Sequence, residues 1–445
     1  MLVFCFRIKL NNRHVVKVAL PKGVFDIFPY IADGKHMWRN TSLWHKVEDR
    51  IHEVCALYGF SEIRTPVFES TSLFLHAGEQ SDIVKKEMYT FADKKGRSLT
   101  LRPEGTAPIV RAFIDHLANQ RSENKFYYIL PMFRYERQQS GRYRQHHQFG
   151  LEAIGMKHPL RDAEVLSLLW QFYTSVGLQN MLLQLNFLGG EITRKRYNDV
   201  LREYFSEHLS SLSVLSQERY HTNLLRILDS KEPEDQDIIA SAPIILDYIS
   251  EEDRKYFDKI LSTLADLHIP HTVHPRLVRG LDYYTDMVFE AVTTCGGHSY
   301  ALGGGGRYDS LIGASGGPST PACGFGVGLE RVIQTLLAQG SLKLPRSHKI
   351  RLISLEPQAD TFCFLWAQHL RSLGIPTEVD WTHKKLKIAL KVADAEQVTF
   401  ACPIGERELH SERLIMKNMF LRQEFSGSKQ EVEQRLLYEI QNTSL

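Results

Sequence analysis

The sequence predicts an α+β architecture: an antiparallel sheet flanked by helices, interrupted by a helical insertion and followed by a smaller α/β domain. Three observations carry this. Strand-like runs over residues 88–91 and 98–102 flank Asp93-Lys94-Lys95-Gly96, and a second strand, loop, strand pattern fills residues 126–152, so hairpins rather than helical crossovers join neighbouring strands. No G-x-G-x-x-G opens a helix after a strand, which sets a dinucleotide-binding sheet aside. Beyond Gln339-Gly340-Ser341 and Pro345-Arg346-Ser347, short strands and helices alternate to the end of the chain.

Taken in order, residues 1–18 form an extension whose apolar start is broken by Arg7 and Lys9 before a targeting core is long enough. Within 38–58, Trp44, Val47, Ile51, Val54, Cys55 and Tyr58 recur at helical spacing and Gly59 stops the helix. Residues 61–66 then read as a strand ending at Pro66. Strands are also expected over 286–292 and 299–302, with a glycine-rich run at 303–306. From about 190 to 275 the texture is polar and helical: Ser250 starts a helix with Tyr256, Phe257, Ile260, Leu261 and Leu264 as its apolar stripe. The domains are therefore 1–18, 19–338 with the insertion at about 190–275, a linker at 339–348, and 349–445. In the last of these, 350–355, 376–379 and 398–402 read as strands and 364–373 as a helix. A final helix starts at Ser428, with Glu431 at capping-box spacing.

Composition bounds the function only loosely. The chain has 445 residues, 43% hydrophobic and 24% charged, enough for a sizeable core in two or three domains. A net charge of +2 is too small to argue for nucleic acid, so any such surface must come from local segregation of charge. The six cysteines form no C-x-x-C pair, which argues against structural zinc and a disulfide framework, and no apolar run reaches the ~18 residues of a membrane span. A cytoplasmic protein is expected.

Residues 133–152 carry the strongest chemical signal. Arg134, Arg137, Arg142 and Arg144 stand beside Glu136, Gln148 and Glu152 on a strand, loop, strand segment. Guanidinium forks at this density suit bidentate grip on phosphates, while the acids and amide can read polar groups. A basic hairpin alone is as often a solvated face. Two further segments bear on it: Leu101-Arg102-Pro103-Glu104-Gly105-Thr106 upstream, and downstream Arg279-Gly280-Leu281-Asp282-Tyr283-Tyr284-Thr285 with Gly324-Phe325-Gly326-Val327-Gly328-Leu329-Glu330-Arg331.

Together these segments resemble the signatures of histidyl-tRNA synthetases, class II aminoacyl-tRNA synthetases, from about Pro21 to the C-terminus. The resemblance implies a class II catalytic domain and a C-terminal anticodon-binding domain. It implies ATP-dependent activation of L-histidine and transfer to the 3′ end of tRNA(His) by a homodimer built on the helix and strand that end at Pro66. ATP with Mg²⁺ is the implied substrate complex, with no zinc and no membrane. Arg134 and Arg279 match the arginines at the α-phosphate and Arg331 the one at the distal phosphates, and these three are the implied catalytic residues. Arg134, Glu136, Arg142, Gly326, Gly328 and Arg331 make the implied ATP site. Histidine is expected at Glu104, Gly105, Thr106, Arg134, Gln148, Glu152, Arg279, Tyr283 and Tyr284, with Glu152 and Tyr284 on the two imidazole nitrogens. Gln139 and Arg144 match positions facing the tRNA acceptor end. In the last domain Lys384, Lys385, Lys387 and Lys391 are apt for an RNA backbone, although Pro403 departs from the pattern expected there.

Two other readings stay open. A paralogue that serves as a regulatory subunit in histidine biosynthesis shares the fold without aminoacylation, and synthetases for threonine or proline share the second and third motifs but not the pocket residues.

Overall fold

The computed structural model describes residues 19–29, 34–78, 83–118, 120–136, 142–281, 283–343 and 349–442. The extension at 1–18, Arg137, Gln139 and Asp282 lie outside them. The chain divides into two compact units, 1–343 and 344–445.

In the first unit the strands are β1 Ser61–Glu62, β2 Phe68–Ser70, β3 Tyr89–Ala92, β4 Ser98–Leu101, β5 Asn124–Phe133, β6 Gln145–Ile154, β7 Met181–Phe187, β8 His271–Val273, β9 Thr285–Cys295, β10 His298–Arg307 and β11 Ala322–Gly328. Eight of them form one sheet in the order β1-β5-β6-β11-β10-β9-β7-β8, and β2-β4-β3 form a small second sheet. The six central strands pair antiparallel, as hairpin connections require. Both edges depart from the all-antiparallel expectation: β1 pairs parallel to β5, and β8 parallel to β7. Each of these pairs is joined through intervening helices, the route parallel pairing needs.

The helix Thr41–Leu57 begins on Asn40, whose side chain accepts from the Ser42 N–H at 3.0 Å. Its stripe of Leu43, Trp44, Val47, Ile51, Val54 and Cys55 is buried in the main core, so the chain itself covers it. Exposed apolar surface nearby includes Leu57 at the end of this helix, 74% exposed, and Phe68 and Phe91 on the small sheet, 51% and 44% exposed with ring centroids 6.3 Å apart. The strand expected over 61–66 stops at Glu62. Buried Arg102 explains this, because its guanidinium donates to the carbonyls of Thr65 (2.7 Å), Pro66 (3.0 Å) and Pro131 (2.8 Å), turning the backbone toward a side chain instead of a strand.

The insertion is shorter than its polar texture suggests. Helices Glu191–His208, Val214–Thr222 and Pro233–Ser241 pack around their own core of Tyr197, Leu201, Phe205, Ile227 and Ile239. Helix Glu251–Asp266 instead buries Phe257, Ile260 and Leu264 in the main core, and β8 extends the main sheet. Composition is blind to which core an amphipathic stripe faces.

One charged pair is sealed beneath the sheet. Arg307 and Asp162 are both fully buried; the guanidinium bonds both carboxylate oxygens, Tyr256 Oη donates to Asp162 at 3.0 Å, and Asp309 accepts from Arg307 at 2.9 Å. The network ties β10 to helices Pro159–Ser175 and Glu251–Asp266.

The second unit has strands β12 Ile350–Ser354, β13 Thr377–Asp380, β14 Phe400–Ile404, β15 Leu414–Asn418 and β16 Gln423–Gly427, in the order β13-β12-β14-β15-β16. The first two pairings are parallel, giving an α/β layer, and β15 and β16 add a hairpin that the sequence did not reveal. Pro403 sits in β14 without loss, since pairing with β15 ends at Ala401 and no ladder bond is needed from its absent N–H on that side. The capping box forms: Ser428 N–H donates to Glu431 at 2.8 Å, ahead of the helix Lys429–Asn442. Lys384, Lys385, Lys387 and Lys391 are all exposed at or in the helix Leu386–Ala395. Among the described residues no helix is long and apolar enough to cross a membrane.

Candidate active site

Two recesses of about 510 and about 190 Å³ open side by side over β6, β10 and β11, and Arg134, His146, Arg279 and Gly328 line both. The larger also holds Glu136, Arg142, Glu290 and Arg331; the smaller holds Glu104, Thr106, Gln148, Tyr283, Tyr284 and Gly326.

The arginines come from separate elements and are each fixed by an oxygen. Arg134, just past β5, donates from Nε to Pro103 O at 2.7 Å. Arg331, in the first turn of the helix Leu329–Ala338, donates to Ala301 O at 2.5 Å, and burial together with Arg142 lowers its pKa. Arg279 pairs with Glu290 at 2.7 Å while its Nε stays buried without a partner. Arg142 stands 3.5 Å from Glu136. Cationic groups of low reorganisation are thus aimed into one cleft, an arrangement able to bind a polyphosphate and neutralise charge developing on it.

The smaller recess is polar at its walls and sealed behind. Glu104 accepts from the backbone N–H groups of Thr106 (2.7 Å) and Ala107 (2.8 Å), so it caps the helix Thr106–His116 while facing the recess. Burial, before any other cause, raises its pKa. Gln148 Oε1 is buried with no partner, an acceptor waiting for a donor such as an ammonium group. Tyr284 is pushed up to about 12 by burial, against the nearby positive charge of Arg279.

The structure does not bring every expected residue to the cleft. Glu152 is 1% exposed and lies behind the lining: it accepts from Thr106 Oγ1 at 2.8 Å, from Tyr128 Oη at 3.4 Å and from Tyr308 Oη. Burial raises its pKa to about 8, against the hydrogen bonds it accepts, and it reaches the recess through Thr106. Gly105 is also behind, since a Cβ there would stand 2.3 Å from the Tyr128 ring. Gly326 lines the smaller recess rather than the larger, and the glycine pattern serves protein side chains: a Cβ at Gly326 would fall 1.7 Å from Gln148 Nε2, and one at Gly324 2.1 Å from Glu152 Oε2. Only Gly328 faces open space. Arg144 is off the cleft, stacked 4.0 Å from the Tyr135 ring.

His146, Tyr308, Glu290, Arg226 and Asp229 were missed by sequence reasoning. For His146 the signal was there, since it shares the strand face of Gln148 by the two-residue period of β6. Burial and the charge of Arg134 push its pKa down to about 3, so the ring that lines both recesses is neutral. Tyr308 and Glu290 had none, because only the folded sheet sets them beside Glu152 and Arg279.

The sequence pattern of the family described as Histidyl-tRNA synthetase matches residues 39–332. A histidine--tRNA ligase of Chlamydia caviae is 80% identical over 430 residues, 97% of this chain and 100% of the relative, and one of Chlamydia pneumoniae is 70% identical over 428 residues, 96% and 100%. The crystal structure of apo S. aureus histidyl-tRNA synthetase superposes with a TM-score of 0.77 at 35% identity, covering 95% of this chain and 99% of that one. With the class II fold, the paired recesses and these full-length likenesses together, the chain belongs to the histidyl-tRNA synthetase family.

Proposed function

We infer that the chain activates L-histidine with ATP and transfers it to the 3′ end of tRNA(His). The observation that carries this is the meeting of an arginine-lined recess and a smaller polar one at Arg134 and Arg279. ATP enters the larger as its Mg²⁺ complex, a substrate, and histidine enters the smaller. Glu104 and Gln148 receive the α-ammonium group, and Tyr284 with Thr106 faces the imidazole, backed by Glu152. A carboxylate oxygen of histidine attacks the α-phosphorus, the bond to the β-phosphate oxygen breaks, and pyrophosphate leaves. Arg134 and Arg279 neutralise the α-phosphate as it becomes five-coordinate, and Arg331 and Arg142 hold the departing phosphates. A terminal ribose hydroxyl of tRNA then attacks the carbonyl carbon and AMP departs. Gln139 and Arg144 serve the acceptor end, and the exposed lysines from Lys384 to Lys391 hold the RNA backbone near the anticodon.

The regulatory reading is not favoured: relatives at 67% to 80% identity over nearly the full chain are histidine--tRNA ligases. A homodimer working in the cytoplasm fits the same reading, with the exposed Leu57, Phe68 and Phe91 among the apolar side chains available to a second copy. ATP–pyrophosphate exchange measured with each of the twenty amino acids is expected to respond to histidine alone, and light scattering to give twice the 51.2 kDa chain mass. Exchange driven by another amino acid, or histidine binding without any tRNA charging, overturns the assignment.

A further inference from the structure

The turn Leu224–Asp229 in the helical insertion divides its residues by direction. Leu224, Ile227 and Leu228 are buried in the insertion's own core, alongside Val278 and Val288 of the catalytic unit's Arg279 segment and β9. Arg226 and Asp229 point the other way and line the larger recess. The Arg226 guanidinium comes so close to Gly280 that a Cβ there would be 3.8 Å from Nη1, which puts it next to Arg279. Its Nη1 also donates to Asp229 at 3.2 Å. That geometry repeats a pairing in the cleft, where Arg279 is held by Glu290 at 2.7 Å and Arg142 stands 3.5 Å from Glu136. Arg226 and Arg279 are each bonded to a carboxylate at the wall, and a phosphate can take the carboxylate's place.

We propose that Arg226 is a triphosphate-binding residue supplied by the helical insertion, so that the insertion takes part in activating histidine. The inference rests on the synthetase reading. Its physical content is an exchange of partners: the guanidinium leaves Asp229 for a nucleotide phosphate, whose non-bridging oxygens can accept from it bidentately. The shared core of Ile227 with Val278 and Val288 fixes the turn to the strand that follows Arg279, so the two arginines keep one register along the phosphates.

Steady-state ATP–pyrophosphate exchange at saturating histidine, on the full chain, tests this. Arg226→Gln is expected to raise the KM for ATP about tenfold, as loss of one charge-assisted contact implies, while the KM for histidine stays within about twofold. Arg226→Lys is expected to recover part of the loss. Asp229→Asn, which takes away the carboxylate bonded to Arg226 at 3.2 Å and a negative charge from the recess, should move the KM for ATP the opposite way, downward. A turn that merely supports the fold gives both variants the same sign and shifts the thermal midpoint. An unchanged KM for ATP in Arg226→Gln, or equal rises for ATP and histidine, overturns the proposal, whereas a wild-type chain lacking histidine-dependent exchange overturns the underlying synthetase reading instead.

Discussion

Arg279→Ala is expected to lower histidine-dependent ATP–pyrophosphate exchange by roughly 10² to 10³-fold, with a smaller change in the dissociation constant for histidine. Arg279 lines both recesses, and in the proposed reaction its charge acts where the new bond to phosphorus forms. Removing one such preorganised donor costs about 3 kcal/mol in the transition state. The structure adds a second contribution, because the substitution leaves Glu290 on the wall of the larger recess without its partner at 2.7 Å. Combining it with Glu290→Gln should restore part of the lost binding of ATP but not the rate. Exchange at the wild-type rate in Arg279→Ala would remove the arginine from the mechanism.

Asp162→Ala is expected to destabilise the protein by about 3–5 kcal/mol, the usual cost of leaving one member of a buried ion pair alone. Arg307 is fully buried, and the substitution takes away the carboxylate that bonds it at two points and also accepts from Tyr256. Asp309 remains as a partner at 2.9 Å and is the reason to expect the lower part of that range. Urea unfolding monitored by far-UV circular dichroism should show the midpoint moving down. A midpoint within error of the wild type would mean that the pair is dispensable.

The sequence by itself determined the parts of the protein that local chemistry dictates. Hairpin signals placed the antiparallel strands, Gly96 takes the positive φ of 78° its turn needs, and Ser428 with Glu431 announced the last helix. The three arginine-bearing segments stood out by residue type and order, while the roles expected of Arg134, Arg279 and Arg331 came from the family resemblance. What tertiary structure decided is everything that depends on which surfaces meet. The parallel edges follow from long helical excursions returning to the sheet, and the end of the insertion follows from which core Phe257 and Ile260 join. Glu104 became a helix cap facing a recess, and Glu152 withdrew behind Thr106, where burial raises its pKa, because which side chains the fold seals inside is set by packing. Arg226 could not be picked out of a polar helical stretch, since nothing local marks one arginine among many. Only the packing of Ile227 and Leu228 on one side of the turn forces its neighbours Arg226 and Asp229 toward the cleft on the other.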